Sequence, residues 1–307
     1  MTKMTATPPS SESANEAVPT GARAGVPELL VVGPQKAGTT WLHELLAHRG
    51  DVTLPHQVKE TFFFDVHYAR GADWYARQFA GGAAGGGAGE RADGPIVEVA
   101  PSYFHDPAVP ARVVETCGRI PVVVTLRAPV KRTWSLYVHY LRYGMTDLPF
   151  EDAIAAHPEI VNSSRYATHL RRWQDAVGAE NVHVFHLEQQ REDRQAWVDR
   201  FTDLLGLAPA PVPAELEGAV NEASMPASAS VARAGWKVSM ALRSLGLHGV
   251  VEAAKSAGLK KLFFGKPGEK PLPKPTPEQL RFLHETLADE IAATERLLGV
   301  ELPHWRG

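Results

Sequence analysis

The chain has 307 residues, 44% of them hydrophobic and 22% charged, with a formal net charge of −3 and a pI near 6.5. That length supports one large α/β domain with a sizeable core, and the mildly acidic balance argues against a protein that wraps nucleic acid or coats an anionic membrane, both of which need a basic excess. Anion binding has to be local, and the single cysteine, Cys117, permits neither an internal disulfide nor a thiolate zinc cluster; it reads as a core residue in a cytoplasmic protein.

Residues 1–25, rich in Thr, Ser, Pro, Ala and Glu, lack the apolar core of a signal peptide and read as a disordered tail, leaving 26–307 as a single domain. The first ordered element is a buried strand over Glu28–Val32, which passes through a tight turn into a helix over Thr39–His48 with Leu42, Leu45 and Leu46 at helical spacing. Further apolar runs predict strands at Ile96–Val99, Pro121–Leu126 and Val182–His186. Between them, helical patterns fall at Trp74–Phe79, Pro110–Thr116, Val130–Tyr143, Phe150–Ala156, Tyr166–Val177 and Gln195–Leu205. The stretch Gly81–Gly94, made largely of glycine and alanine, has no hydrophobic period and is expected to be a flexible surface loop. A Pro/Ala-rich run at Ala208–Ala214 opens a variable region over 208–275, in which Val231–Phe264 carries helical spacing together with lysines. A long helix closes the chain at Thr276–Leu298, with Pro277 at its first helical position. No segment approaches the ~20 apolar residues that span a bilayer, so a soluble chain without a membrane span is expected. Short apolar strands alternating with amphipathic helices predict an α/β fold: a P-loop-like parallel sheet flanked by helices on both faces, a three-layer sandwich.

The most informative run is Gly33-Pro34-Gln35-Lys36-Ala37-Gly38-Thr39-Thr40-Trp41, lying between the first strand and the first helix. Amides at a helix start and the helix dipole favour a phosphate there. A nucleotide triphosphatase P-loop places lysine directly after its second glycine, and here that position is Thr39. The basic residue is Lys36, inside the loop, within reach of an oxygen that bridges a phosphate to a transferring group. A second anion-binding candidate lies where the Val-rich strand ends in Arg127, since an arginine grips phosphate bidentately and ligands of open parallel sheets bind at such strand ends. Ser135 follows eight residues later, and Lys131 and Arg132 between them read either as strengthening the local positive field or as exposed helix charges. A candidate base is Glu60, in Lys59-Glu60-Thr61-Phe62-Phe63-Phe64-Asp65, where neighbouring aromatic rings favour a raised carboxyl pKa. His and acidic residues show no metal-ligand spacing, and no metal is expected.

The loop resembles the 5′-phosphosulfate-binding loop of sulfotransferases that use 3′-phosphoadenosine 5′-phosphosulfate (PAPS), with the form P-K-x-G-T-[TS]-W in the cytosolic group and K-x-G-T-[TR] in the Golgi glycan group. The resemblance implies that Lys36, Ala37, Gly38, Thr39 and Thr40 hold the 5′-phosphate, and that Trp41 either stacks on adenine or is an ordinary core aromatic. Leu126-Arg127-Ala128-Pro129 with Ser135 resembles the family's 3′-phosphate motif. Lys59–Asp65 resembles the E-x-H-F-F-D segment of heparan sulfate sulfotransferases, which implies Glu60 as catalytic base; cytosolic members use histidine, and His105 is the alternative. Val97–Phe104 resembles that group's V-E-K-x-x-x-Y-F segment, and Ser164-Arg165-Tyr166 resembles its S-x-Y helix, which implies Tyr166 at the nucleotide. PAPS as cosubstrate, 3′-phosphoadenosine 5′-phosphate (PAP) as product and a small-molecule or carbohydrate hydroxyl acceptor follow from the same likeness.

Thr40, Phe62 and Val99 replace arginine, histidine and lysine of the heparan enzymes, which implies a more neutral or partly hydrophobic acceptor, with Trp74 and Tyr75 as further wall candidates. The lysines of Lys255–Lys270 correspond to a basic loop over the 3′-phosphate or to solvated charges. Two other readings share the strand–loop–helix pattern: a P-loop kinase or NTPase, and a non-catalytic nucleotide-binding protein.

Overall fold

The computed structural model describes residues 24–56, 58–81, 94–217 and 271–306, together with residues 234 and 238. The tail, most of the Gly/Ala loop and the lysines of Lys255–Lys270 lie outside the described residues.

The strands are β1 (Leu29–Gly33), β2 (Val97–Val99), β3 (Val122–Leu126) and β4 (Val182–His186). They form one parallel sheet in the order β2-β1-β3-β4, so the first strand in the chain stands near the middle. The helices are α1 (Thr39–His48), α2 (Ala72–Arg77), α3 (Val109–Cys117), α4 (Pro129–Arg142), α5 (Phe150–Ala156), α6 (Glu159–Asn162), α7 (Tyr166–Val177), α8 (Leu187–Glu192), α9 (Arg194–Asp203) and α10 (Pro277–Leu298).

Successive side chains of a strand point to opposite faces, and β1 shows this directly. Leu30 and Val32 enter one core with Val122, Val124 and Leu126 of β3, whereas Leu29 and Val31 enter a second core with Val97, Val99 and Val123. Helices α3, α4, α7 and α10 supply the first core; Leu42 and Leu45 of α1 and Trp197 and Phe201 of α9 supply the second. The middle of the sheet is therefore buried on both faces, which is why β1 and most of β3 read as apolar runs. Each large apolar side chain so buried contributes about 1.5–3 kcal/mol relative to an exposed one.

The long helix α10 starts as its sequence dictates. Thr276 accepts from the Gln279 amide while the Gln279 side chain returns to the Thr276 amide, and Gly299 ends the helix in the left-handed region. Leu283, Leu287 and Ile291 form its buried stripe. Beyond it, Trp305 is buried against Tyr166, with ring centroids 5.6 Å apart.

Three elements differ from the sequence expectation. A π-helical turn occupies Phe63–His67, and α6 and α8 are short helices with no readable period. Arg132, expected as an exposed charge, is fully buried because Ser164 Oγ and the Ile160 carbonyl accept from Nε and Nη2. Lys131 beside it is exposed.

β1 ends at Gly33 with φ 103°, where an added Cβ would stand 2.5 Å from the Pro101 Cα. Gly33→Ala is therefore expected to destabilise the fold by at least about 2 kcal/mol, a fall of roughly 4 °C or more in Tm, measured by thermal denaturation.

Candidate functional site

In an open parallel sheet, ligands bind beyond the carboxyl ends of the strands. At the end of β1 the chain adopts positive φ at Lys36 (70°) and Gly38 (92°) before entering α1. No side chain caps α1, and its first backbone bond runs from the Leu42 amide to the Gly38 carbonyl. The amides of Thr39, Thr40 and Trp41 precede that bond at the positive end of the helix dipole, an arrangement that receives an anion. Thr39 is buried and Thr40 exposed.

Lys36 is held among like charges. Burial first, then Arg142, Arg127, Lys59 and Arg132, lower its ammonium pKa to about 8. Cations converging on one point repel one another unless an anion completes the cluster, and that is the fit expected for a phosphate group.

The second predicted anion site meets the first directly. β1 and β3 are neighbours, and Arg127, immediately after β3, donates from Nη1 to the Lys36 carbonyl at 3.3 Å. The turn carrying Arg127 is itself fixed: the Ala128 amide donates to Glu188 Oε1 at 2.9 Å, and the Tyr166 hydroxyl donates to the Arg127 carbonyl at 2.7 Å. Tyr166 is fully buried, so its position is that of a brace beneath Arg127. Ser135 lies half-buried two turns along α4. Ser164 braces the start of the same helix, lying 2.7 Å from Thr133 Oγ1. Arg132 Nη1 is buried without a hydrogen-bond partner among the described residues and adds an unscreened positive field that reaches Lys36.

Glu60 is half-buried and accepts from Lys59 Nζ at 3.1 Å. The Lys59 charge acts on both Lys36 and His43, which sets the Lys59–Glu60 pair beside the cradle. The charges acting on His105 are Arg132, which also acts on Lys36, then Asp106, Glu159 and Asp65, and its ring lies 6.5 Å from that of His169.

Sequence reasoning missed two imidazoles at the cradle. Burial and Lys59 lower His43 to about 4, and burial, Lys36 and Arg142 lower His139 to about 3, so both are neutral at pH 7. His43 follows Thr39, and His139 follows Ser135, by four residues, so each shares a helix face with a predicted ligand.

Trp41 takes the core alternative. It is 7% exposed, its indole N–H donates to the Leu216 carbonyl at 2.9 Å, and Trp197 and Arg194 cover it, leaving little of the ring for a ligand. Tyr75 is likewise core, stacked on Phe63 at 4.3 Å, while Trp74 is half-buried. Val99 is fully buried in the core shared with α1, so its difference from lysine does not bear on an acceptor surface here; Thr40 and Phe62 retain exposure.

The Lys36 ammonium loses its proton, and with it its attraction for phosphate, as pH rises through about 8. Affinity for inorganic phosphate through this ammonium is expected to vary little between pH 7 and 8 and then weaken by up to about tenfold per pH unit. Lys36→Arg is expected to remove that dependence, as read by calorimetric titration at pH 7 and 9.

The matched family model is the sulfotransferase domain, over residues 26–234. Among curated relatives, the bifunctional heparan sulfate N-deacetylase/N-sulfotransferase of Drosophila melanogaster is 29% identical over 190 residues, covering 54% of this chain and 18% of that protein. The Homo sapiens bifunctional heparan sulfate N-deacetylase/N-sulfotransferase 1 is 27% identical over 209 residues, covering 59% of this chain and 22% of that protein. The chain thus spans about a fifth of the length of these relatives. A solved sulfotransferase from Alicyclobacillus acidocaldarius shares the fold with a TM-score of 0.61 at 21% identity, covering 92% of this chain and 99% of that one. With the family model matched over more than half of its length, the chain belongs to the sulfotransferase domain family.

Proposed function

We propose that the chain transfers a sulfuryl group from PAPS to a hydroxyl of a small-molecule, lipid or sugar acceptor, releasing PAP. The observation that carries this reading is the bond from Arg127 Nη1 to the Lys36 carbonyl, which joins two anion-binding segments as a nucleotide phosphorylated at both its 5′ and 3′ positions requires. When bound, PAPS supplies the sulfuryl group and a bisphosphate leaving group.

Lys36 and the amides that open α1 hold the 5′-phosphate and receive the negative charge that develops on the bridging oxygen. Arg127 and Ser135 hold the 3′-phosphate, with Arg132 adding field from beneath. Glu60 takes the acceptor's hydroxyl proton as the oxygen bonds to sulfur, and Lys59 holds the carboxylate in place. The neutral His43 and His139 accept or donate hydrogen bonds at the cradle without adding to its charge.

Two of the three departures from the heparan enzymes, Thr40 and Phe62, remain at the loop surface and support a neutral or partly apolar acceptor. The similar heparan sulfate proteins are N-deacetylase/N-sulfotransferases, which favours an amine acceptor as the second reading. Among the described residues no helix is long and apolar enough to cross a membrane. The lone, buried Cys117, a thiol left unoxidised, supports a cytoplasmic location.

Lys36→Ala is expected to lower kcat by about 10²–10³-fold and Glu60→Ala by about 10²–10⁴-fold, both with the fold intact by circular dichroism. PAP is expected to raise Tm more than AMP or ATP does at equal concentration. A mass-spectrometric screen of hydroxyl and amine compounds with PAPS reads the acceptor class from which group gains the sulfuryl mass. Near-normal turnover in Glu60→Ala would move the base elsewhere, and equal stabilisation by PAP and AMP would remove the bisphosphate assignment.

A further inference from the structure

Glu98 is an acid in the middle of β2, between Val97 and Val99, and all three are fully buried. A buried carboxylate is costly unless its oxygens are hydrogen-bonded, and a valine at this strand position would carry no such cost. The bonds it makes show its use. Oε1 accepts from the Thr61 amide at 2.7 Å; Oε2 accepts from the Tyr75 hydroxyl at 2.6 Å and the Tyr103 hydroxyl at 3.2 Å. The Tyr103 hydroxyl in turn accepts from the Phe63 amide at 2.9 Å and lies 3.3 Å from Thr61 Oγ1.

Residues 61 and 63 are thus tied to one network from both sides of Phe62, which adopts φ 53°, a left-handed conformation that a bulky aromatic residue holds only when its surroundings impose it. The residue before this tied pair is Glu60.

We infer that Glu98 is a positioning residue: by holding the Thr61 amide from the core of the sheet, it sets where the Glu60 carboxylate stands relative to Lys36. This rests on Glu60 as the base. Burial pushes the Glu98 carboxyl up to about 7, against the opposing pull of its Tyr75, Thr61 and Tyr103 donors. Oε1 can accept from Thr61 whether or not the other oxygen carries a proton, so the required property is reach and an acceptor rather than charge.

Glu98→Gln keeps the reach and the oxygen that accepts from the Thr61 amide, with its NH2 toward the Tyr75 and Tyr103 hydroxyls, which accept as well as donate, whereas Glu98→Asp keeps the carboxylate and shortens the side chain by one methylene. Turnover is followed as PAP release from PAPS, with the acceptor identified by the mass-spectrometric screen and, in parallel, with water as acceptor. Glu98→Asp is expected to lower kcat at least tenfold with KM for PAPS within twofold of the parent, and Glu98→Gln to retain half of kcat or more. Hydrogen-exchange mass spectrometry provides a readout without turnover: a peptide spanning residues 58–66 is expected to lose amide protection in Glu98→Asp and keep it in Glu98→Gln, while stabilisation by PAP is unchanged in both.

Unchanged kcat or unchanged exchange in Glu98→Asp overturns the inference. So does a Glu98→Gln variant as impaired as Glu98→Asp, which would make the charge the essential property, and so does loss of PAP stabilisation along with kcat, which would make Glu98 a folding residue. Glu60→Ala, measured alongside, separates the two levels: surviving turnover there removes the base itself, whereas an inactive Glu60→Ala beside an unaffected Glu98→Asp removes only the role of Glu98.

Discussion

The hydrogen bond between Arg127 and the Lys36 carbonyl depends on one topological constraint: the two strands that end at these residues must be neighbours in a parallel sheet. Because β1 pairs with β3, the carboxyl ends of two segments 91 residues apart in sequence open on the same side of the sheet. Each brings its own anion chemistry, amides and an ammonium from one, a guanidinium from the other. Neither segment alone makes up the bisphosphate site proposed above. It is their adjacency that brings the two together, and the pairing of β1 with β3 fixes that adjacency.

Collecting cations there is electrostatically unfavourable: after burial, the charges of Arg142, Arg127, Lys59 and Arg132 all push the Lys36 ammonium pKa down. Hydrogen bonds from outside the cluster keep it assembled. Glu188 and Tyr166 hold the backbone of the Arg127 turn, and Ser164 and the Ile160 carbonyl hold Arg132. Because these braces come from α6, α7 and α8, the helices packed around the sheet act directly on the chemistry at its edge. Such a site is preorganised: the positions of its charges are set by folding, and ligand binding has little left to order.

Much of this was legible in the residues, in a pattern with a physical reason. The strands and the longer helices were readable because each carries its period within itself, and α1, α5, α7 and β4 fall where apolar spacing puts them. Lys36 and Arg127 were readable because loop glycines and a strand end mark where anions bind. What escaped depends on partners distant in sequence. Arg132 looks like any surface charge on a helix until α6 and Ser164 close over it. Glu98 looks like a strand residue until Tyr75, Tyr103 and Thr61 are folded onto it. His43 and His139 carry no local signal beyond a four-residue interval, and their neutrality comes from burial beside cations that tertiary structure assembles. Trp41 had two readings in sequence, and the packing of Trp197 and Leu216 against it selected the core.

The position of Trp305 has a consequence for how the protein comes to work. Its ring lies against Tyr166, whose hydroxyl secures the Arg127 carbonyl, so the packing behind the Arg127 turn includes a residue from beyond α10. During synthesis the ribosome releases β1, its loop and β3 long before residue 305 emerges. The Trp305 contact behind Tyr166 therefore forms only after the loop, β3 and α7 have all been made, so the packing that backs the Arg127 turn is among the later contacts available to the growing chain.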